Sequence, residues 1–252
     1  GQAKFERDEA SAFTFDDGAM HQYKRWGQRA SRILGPVADT EAFGRVVKGI
    51  GMLARNRSAV REQLRAYGIS APVEFYDHHA CHAASAYFTA DTDPALVITS
   101  DTSGDGMSST VSIGRDGRLT RAVATPIIHS AGRFWDVITI LCGFKPNRHA
   151  GKITGLAAYT PSPEAYQKLR ALYGGNAEAL RFENRERRAW KAERDRIREV
   201  LPGVSREELA YAAQKVLEEA WTAVDRAAVQ RFRIRSVALA GGTFANVRLN
   251  QM

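Results

Sequence analysis

The stretch Ala95-Leu96-Val97-Ile98-Thr99-Ser100-Asp101-Thr102-Ser103-Gly104-Asp105-Gly106 decides how this chain is read. Its first half is a short apolar run bounded upstream by Asp91-Thr92-Asp93-Pro94, and it predicts a strand buried on both faces. Its second half gathers carboxylates, hydroxyls and glycines where that strand ends. Glycines let a backbone approach a phosphate, N–H groups and hydroxyls donate to its oxygens, and a strand-end aspartate holds a cation or orients a water. The same residues make ordinary turns, so by itself the loop reads either way.

Downstream, Met107 to Ile113 and Arg118 to Ala124 read as two more strands joined by the turn Gly114-Arg115-Asp116-Gly117, which makes a meander. A helix is predicted over Gly132 to Leu141, stopped by Gly143, with Ser130, Arg133 and Thr139 capping it, covering it or lining a cleft. Lys145 to Tyr159 reads as a linker containing Gly151-Lys152-Ile153-Thr154-Gly155, in which Lys152 either neutralises a phosphate or is a solvated lysine. Pro161-Ser162-Pro163 opens a charged helical stretch to Val200, and the alternating signs from Arg181 to Arg198 suggest a solvated, ion-paired helix. Ser205 with Glu208 forms a capping-box pattern before a long amphipathic helix to about Phe232. Ser236 to Ala240 then reads as a strand ending in Gly241-Gly242-Thr243-Phe244-Ala245-Asn246. That junction either presents N–H groups to an anion or is a tight turn with Asn246 on a first helical turn.

Upstream, Val73-Glu74-Phe75-Tyr76 is a short extended run before Asp77-His78-His79-Ala80-Cys81-His82-Ala83, which opens an alanine-rich helix. His78 and His82 fall at i and i+4, one turn apart on one face, where two imidazoles can share a metal ion. The competing reading has Asp77 capping the helix and both histidines as packed or solvated polar residues. Residues 16 to 68 carry a glycine-broken helical periodicity that predicts two or three helices.

With 252 residues the chain can bury a sizeable core as one domain or two packed halves. It holds no apolar run long enough to span a bilayer, and the polar start Gly1 to Arg7 is not that of a signal peptide, so a cytoplasmic protein without a membrane partner is expected. Two cysteines, Cys81 and Cys142, exclude a disulfide framework. Cys81 reads as a small packed residue, and no Ser/His/Asp nucleophile set emerges. The net charge of +8 favours encounter with anions and phosphorylated ligands, but its patterning makes nucleic acid an unexpected partner.

The order of these motifs carries more than any one of them: a meander with a phosphate-type loop, a helix, and a later strand ending in Gly-Gly form one half of an actin-like nucleotide-binding fold. The chain resembles the O-carbamoyltransferase family of nodulation-factor and antibiotic-tailoring enzymes. It is similar, more distantly, to the protein that makes threonylcarbamoyladenosine in tRNA. The resemblance is carried by Asp77 to Tyr87, Asp101 to Gly106, Ser130 to Trp135, Gly151 to Tyr159 and Ala240 to Asn246, in that order.

This resemblance implies an α/β, actin-like ATPase (ribonuclease H-like) fold, a mixed sheet with flanking helices. Residues 1–94 would complete a first subdomain and 95–252 form a second, with a helical insertion at about 160–204. It implies that His78, His82 and Asp101 ligate a divalent metal, iron in the family. Ser103, Gly104, Asp105, Gly106, Lys152, Gly241, Gly242 and Asn246 would hold ATP or a carbamoyl-adenylate made from it. The metal and N–H donors would then make adenylate a better leaving group as a sugar or natural-product hydroxyl attacks the carbamoyl carbon. Family members also begin with a glycine-rich hairpin, end on a further metal-ligating aspartate, carry methionine where Thr154 stands, and use a second domain to activate carbamoyl phosphate. The sequence shows none of these, so an incomplete central piece is expected, inactive or partial alone. A tRNA threonylcarbamoyl transferase and a non-catalytic nucleotide- or nucleic-acid-binding module are the alternatives.

Overall fold

A computed structural model describes residues 52–146, 148–188 and 190–251. The expected helices between residues 16 and 51 lie outside these; what is described begins with helix α1 (Met52–Ala66).

Strand β1 (Ala95–Gly104) is the spine, with its first six residues buried. It pairs antiparallel with β2 (Met107–Arg115), which pairs antiparallel with β3 (Arg118–Pro126). On its other edge it pairs parallel with β6 (Val237–Ala240), Val97 opposite Ala238 and Thr99 opposite Ala240. The sheet is therefore mixed, in the order β3-β2-β1-β6. Both hairpins turn on Asp-Gly pairs with positive φ, Asp105 at 53° with Gly106 at 84° and Asp116 at 51° with Gly117 at 69°. This is the handedness that matches the twist of antiparallel strands. The stretch expected to be a loop from Asp101 is thus mostly strand: β1 runs to Gly104 through a register shift after Ser100, and only Asp105-Gly106 turns.

Alternation along β1 sends side chains to two different layers. Ala95 and Val97 pack under helix α2 (His78–Phe88) through Ala83 and Tyr87. Leu96 and Ile98 face the main core, where they join helix α3 (Ala131–Leu141) through Phe134 and Ile138 and helix α7 (Arg206–Phe232) through Leu217 and Val224. The 27 residues of α7 start at the expected capping box, with both reciprocal Ser205–Glu208 bonds formed.

Between α3 and α7 two expectations are corrected. The linker from Lys145 contains a short helix, α4 (Ala150–Leu156). The helical stretch from Pro163 to Val200 divides into α5 (Pro163–Leu172), the hairpin β4 (Tyr173–Asn176) with β5 (Arg181–Asn184), and α6 (Lys191–Val200). The hairpin wins because Tyr173 and Phe182 both reach Phe134, at ring-centroid distances of 4.6 and 5.4 Å. Gly174-Gly175 resists helix, and a Cβ on Gly175 would lie 2.5 Å from the Ala220 carbonyl oxygen of α7. The run from Arg181 is solvated only in part. Glu186, Arg188, Arg196 and Glu199 do form a surface ion-pair network, but Glu193 is buried against Arg133. After β6 the chain enters a 3₁₀ turn (Gly242–Ala245) in place of the expected helix, with Asn246 at its C-terminal end. Cys81 is exposed, against expectation, because it falls on the outer face of α2; Cys142 is buried, and burial pushes its thiol up to about 11. No helix among the described residues is long and apolar enough to cross a membrane.

Candidate metal and nucleotide site

Helix α2 begins at Asp77, whose carboxylate accepts from the Ala80 N–H at 2.9 Å and pairs with Arg121 of β3. That cap sets the helical phase, and the phase points His78 and His82 at the end of β1. Their Nε2 atoms lie 3.1 Å apart, and each lies 3.2 Å from Oδ2 of Asp101. These three residues form a cluster whose donor atoms all fall within 4.8 Å of one another. His79, one residue along, turns the other way. It is fully buried, its Nδ1 bonded to Thr99 Oγ1 at 2.8 Å, and burial lowers its pKa to about 4.

Asp101 is half-buried. Burial works to raise its pKa, but the Thr102 N–H on Oδ1 at 2.7 Å and the two imidazoles outweigh it, so the carboxyl sits below its ordinary value. The two glycine segments press on this group from either side. A Cβ on Gly104 would lie 2.1 Å from the His78 ring, and one on Gly242 3.2 Å from Asp101 Oδ1. Gly241 has φ of 99° and would carry a Cβ 2.2 Å from the Ser100 carbonyl oxygen, so only glycine fits where β6 turns over β1.

A cleft of about 540 Å³ opens beside the cluster, its walls including Asp101, Thr102, Gly132, Asp136, Gly242 and Asn246. Ser130 caps α3 by accepting from the Arg133 N–H and donates to the Thr102 carbonyl at 2.7 Å, which ties that helix to the end of β1. Gly132 allows the close approach: a Cβ there would meet the Thr102 nitrogen at 2.6 Å.

Of the residues singled out from the sequence, the structure brings His78, His82 and Asp101 into the cluster and Asp101, Gly242 and Asn246 into the cleft wall, while Gly241 packs against the Ser100 carbonyl. It does not bring Ser103, Gly104, Asp105, Gly106 or Lys152 into the cleft wall. Ser103 is exposed, Gly104 seats the His78 ring, Asp105 accepts from the His78 N–H at 2.8 Å, and Gly106 completes the turn. The Lys152 ammonium stands over the Phe144 ring, 5.2 Å from its centroid. Sequence reasoning missed Asp136, and it quoted Thr102 and Thr243 within their motifs without assigning them to the site; all three reach the cleft because α3 and the 3₁₀ turn converge on the end of β1. The one signal available for Asp136 was its place one turn after Gly132.

The family described as carbamoyltransferase N-terminus matches residues 40–252. An uncharacterized protein of Methanocaldococcus jannaschii is 32% identical over 195 residues, 71% of this chain and 32% of that protein. An uncharacterized protein of Synechocystis is 35% identical over 88 residues, 35% of this chain and 14% of its own length. A second uncharacterized protein of Methanocaldococcus jannaschii is 36% identical over 85 residues, 34% of this chain and 16% of that one. The chain thus spans about a third or less of the length of these relatives. With the family match running through α2, the whole sheet and the Gly241-Gly242 turn, this chain belongs to the carbamoyltransferase family, in its N-terminal part.

Proposed function

We propose that this domain binds the metal and the nucleotide in an O-carbamoyl transfer, in which a carbamoyl group passes from an ATP-derived carbamoyl-adenylate to a hydroxyl of a sugar or natural product. The observation that carries this reading is the meeting of His78, His82 and Asp101 at 3.1–3.2 Å, with Asp101 shared between that cluster and the wall of the cleft that Gly242 also lines. The antiparallel meander extended by one parallel strand supports an actin-like fold, with a subdomain boundary near the turn at Asp93.

The donor set fits a divalent ion. Two imidazole nitrogens and a carboxylate oxygen about 3 Å apart match adjacent corners around an ion with bonds of about 2.1 Å. Two His and one carboxylate is also a set that suits iron(II) and leaves positions open. Such an ion, when bound, neutralises phosphate charge near Asp101. The chain's own residues do the rest: Gly242 and Asn246 line the cleft where the nucleotide would lie, Gly104 and Asp105 hold His78 in place, and α3 closes the far wall. The acceptor oxygen forms the new bond to the carbamoyl carbon, the bond from that carbon to the adenylate oxygen breaks, AMP leaves, and the proton of the acceptor hydroxyl is released to solvent. No covalent intermediate with the protein is required. Lys152, engaged with Phe144, is left out of the contacts proposed.

In the full-length protein, replacing both imidazoles (His78→Ala with His82→Ala) is expected to remove bound metal. AMP formation from ATP and carbamoyl phosphate should fall by roughly 100-fold or more. Metal analysis and AMP release measure the two effects, and wild-type AMP formation by the double variant overturns the assignment.

A further inference from the structure

The side chain of Asn246 is held by a buried network that no cleft contact explains. Its Oδ1 accepts the backbone N–H groups of Arg248 at 3.1 Å and Leu249 at 3.2 Å. Two backbone donors on one atom fix that atom as the oxygen, so the orientation of the amide follows from the network. Asn246 Nδ2 then donates to Gln214 Oε1 at 2.9 Å, and Gln214 Nε2 donates back to Asn246 Oδ1 at 3.2 Å. Gln214, only 5% exposed on α7, is oriented in turn by its 3.0 Å bond to Glu218 Oε1, itself 4% exposed. Arg248 stands 3.5 Å from the same Glu218 oxygen.

Asn246 Nδ2 has two hydrogens, and Gln214 takes one. Among the described residues the other meets no acceptor, while the residue lines the cleft. We infer that Gln214 is a positioning residue that aims the remaining Asn246 N–H at an acceptor oxygen of the nucleotide. The inference rests on the nucleotide reading above and adds to it a residue outside the cleft wall and the polarity of the contact. Asn246 acts as donor, and the ligand atom it meets is an acceptor such as a phosphate or hydroxyl oxygen. A reciprocal amide pair backed by a buried carboxylate leaves the asparagine one orientation, so no rotamer freedom is lost when the ligand arrives.

The test is a double-mutant cycle on ATP binding in the full-length protein, measured by calorimetry for wild type, Gln214→Met, Asn246→Ala and the double variant. Methionine keeps the volume and removes both hydrogen bonds to Asn246, together with the one to Glu218. Gln214→Met is expected to weaken ATP binding by about tenfold, as losing an oriented donor does. The double variant should bind no more weakly than Asn246→Ala, because Gln214 acts only through Asn246. Thermal unfolding of each variant shows whether binding merely follows stability. Wild-type affinity in Gln214→Met, or independent additive losses in the double variant, overturns the positioning role while leaving the nucleotide reading intact. A wild-type protein that binds no ATP overturns the nucleotide reading, and this inference with it.

Discussion

Gly104 and His79 show how much one residue decides here. Gly104 belongs to a stretch that reads as a phosphate loop, yet its missing side chain makes room for a histidine: a Cβ would stand 2.1 Å from the His78 ring. Gly104→Ala is expected to push that imidazole off Asp101 and cut metal affinity by about 10- to 100-fold while the secondary structure persists. Titration of divalent metal with circular dichroism on the same sample checks both halves of that expectation. His79 makes the complementary point. It sits between the two clustered histidines in sequence and is separated from them by helical phase alone, since a step of about 100° turns it onto the sheet against Thr99 of β1. The i, i+4 spacing made the pairing of His78 with His82 legible in advance. That Asp101 would complete the cluster needed the strand's end placed against the helix, and no local pattern states that.

Among the elements, α6 is one whose sequence misleads. Its alternating charges match a solvated helix, and its ion pairs around Glu186 and Arg196 behave so. Glu193, however, is turned inward with 1% exposure, where it lies 3.5 Å from Arg133 Nε and accepts from Tyr173 OH at 3.1 Å. Burial raises the pKa of Glu193 against the opposing pull of Arg133 and Tyr173. Arg133 is the residue on α3 that follows the cleft glycine, so this pair ties the insertion to the cleft wall. Glu193→Ala leaves the guanidinium buried without its partner and is expected to cost about 3–5 kcal/mol, read from urea unfolding. Glu193→Gln, which can keep the tyrosine bond, is expected to lose less. Surface and buried carboxylates look alike in a charge pattern because the pattern reports helical face, not what covers it. For the same reason the β4–β5 hairpin escaped notice, while α7 did not: a capping box followed by long apolar periodicity is local, whereas Tyr173 and Phe182 become strand residues by packing on Phe134.

At the scale of the whole molecule, the four-stranded mixed sheet carries the site on one end, with α2 on one face and α3 and α7 on the other. Stability of this assembly should depend on pH through Asp225 of α7, whose carboxyl is pushed up to about 6 by burial, with Oδ1 lacking a hydrogen-bond partner. The folded state binds this proton more tightly than the unfolded chain, so its contribution is greatest below about pH 4 and is lost as pH rises to about 6. Asp225→Asn is therefore expected to stabilise the protein by roughly 1–3 kcal/mol near pH 7, with the advantage shrinking toward pH 4. Urea unfolding across that range measures it, and a pH-independent difference counts against the assignment. The sequence by itself determined the strands of the meander, the two Asp-Gly turns, the capped helices and the pairing of His78 with His82, since each depends on residues within a few positions of one another. Only the tertiary structure decided that β6 lies parallel to β1, bringing Gly242 against Asp101 from 141 positions away, and that Gln214 holds Asn246 across 32. Such contacts form when distant apolar faces are buried together, and the short polar side chains they bring into register carry no periodic signal of their own.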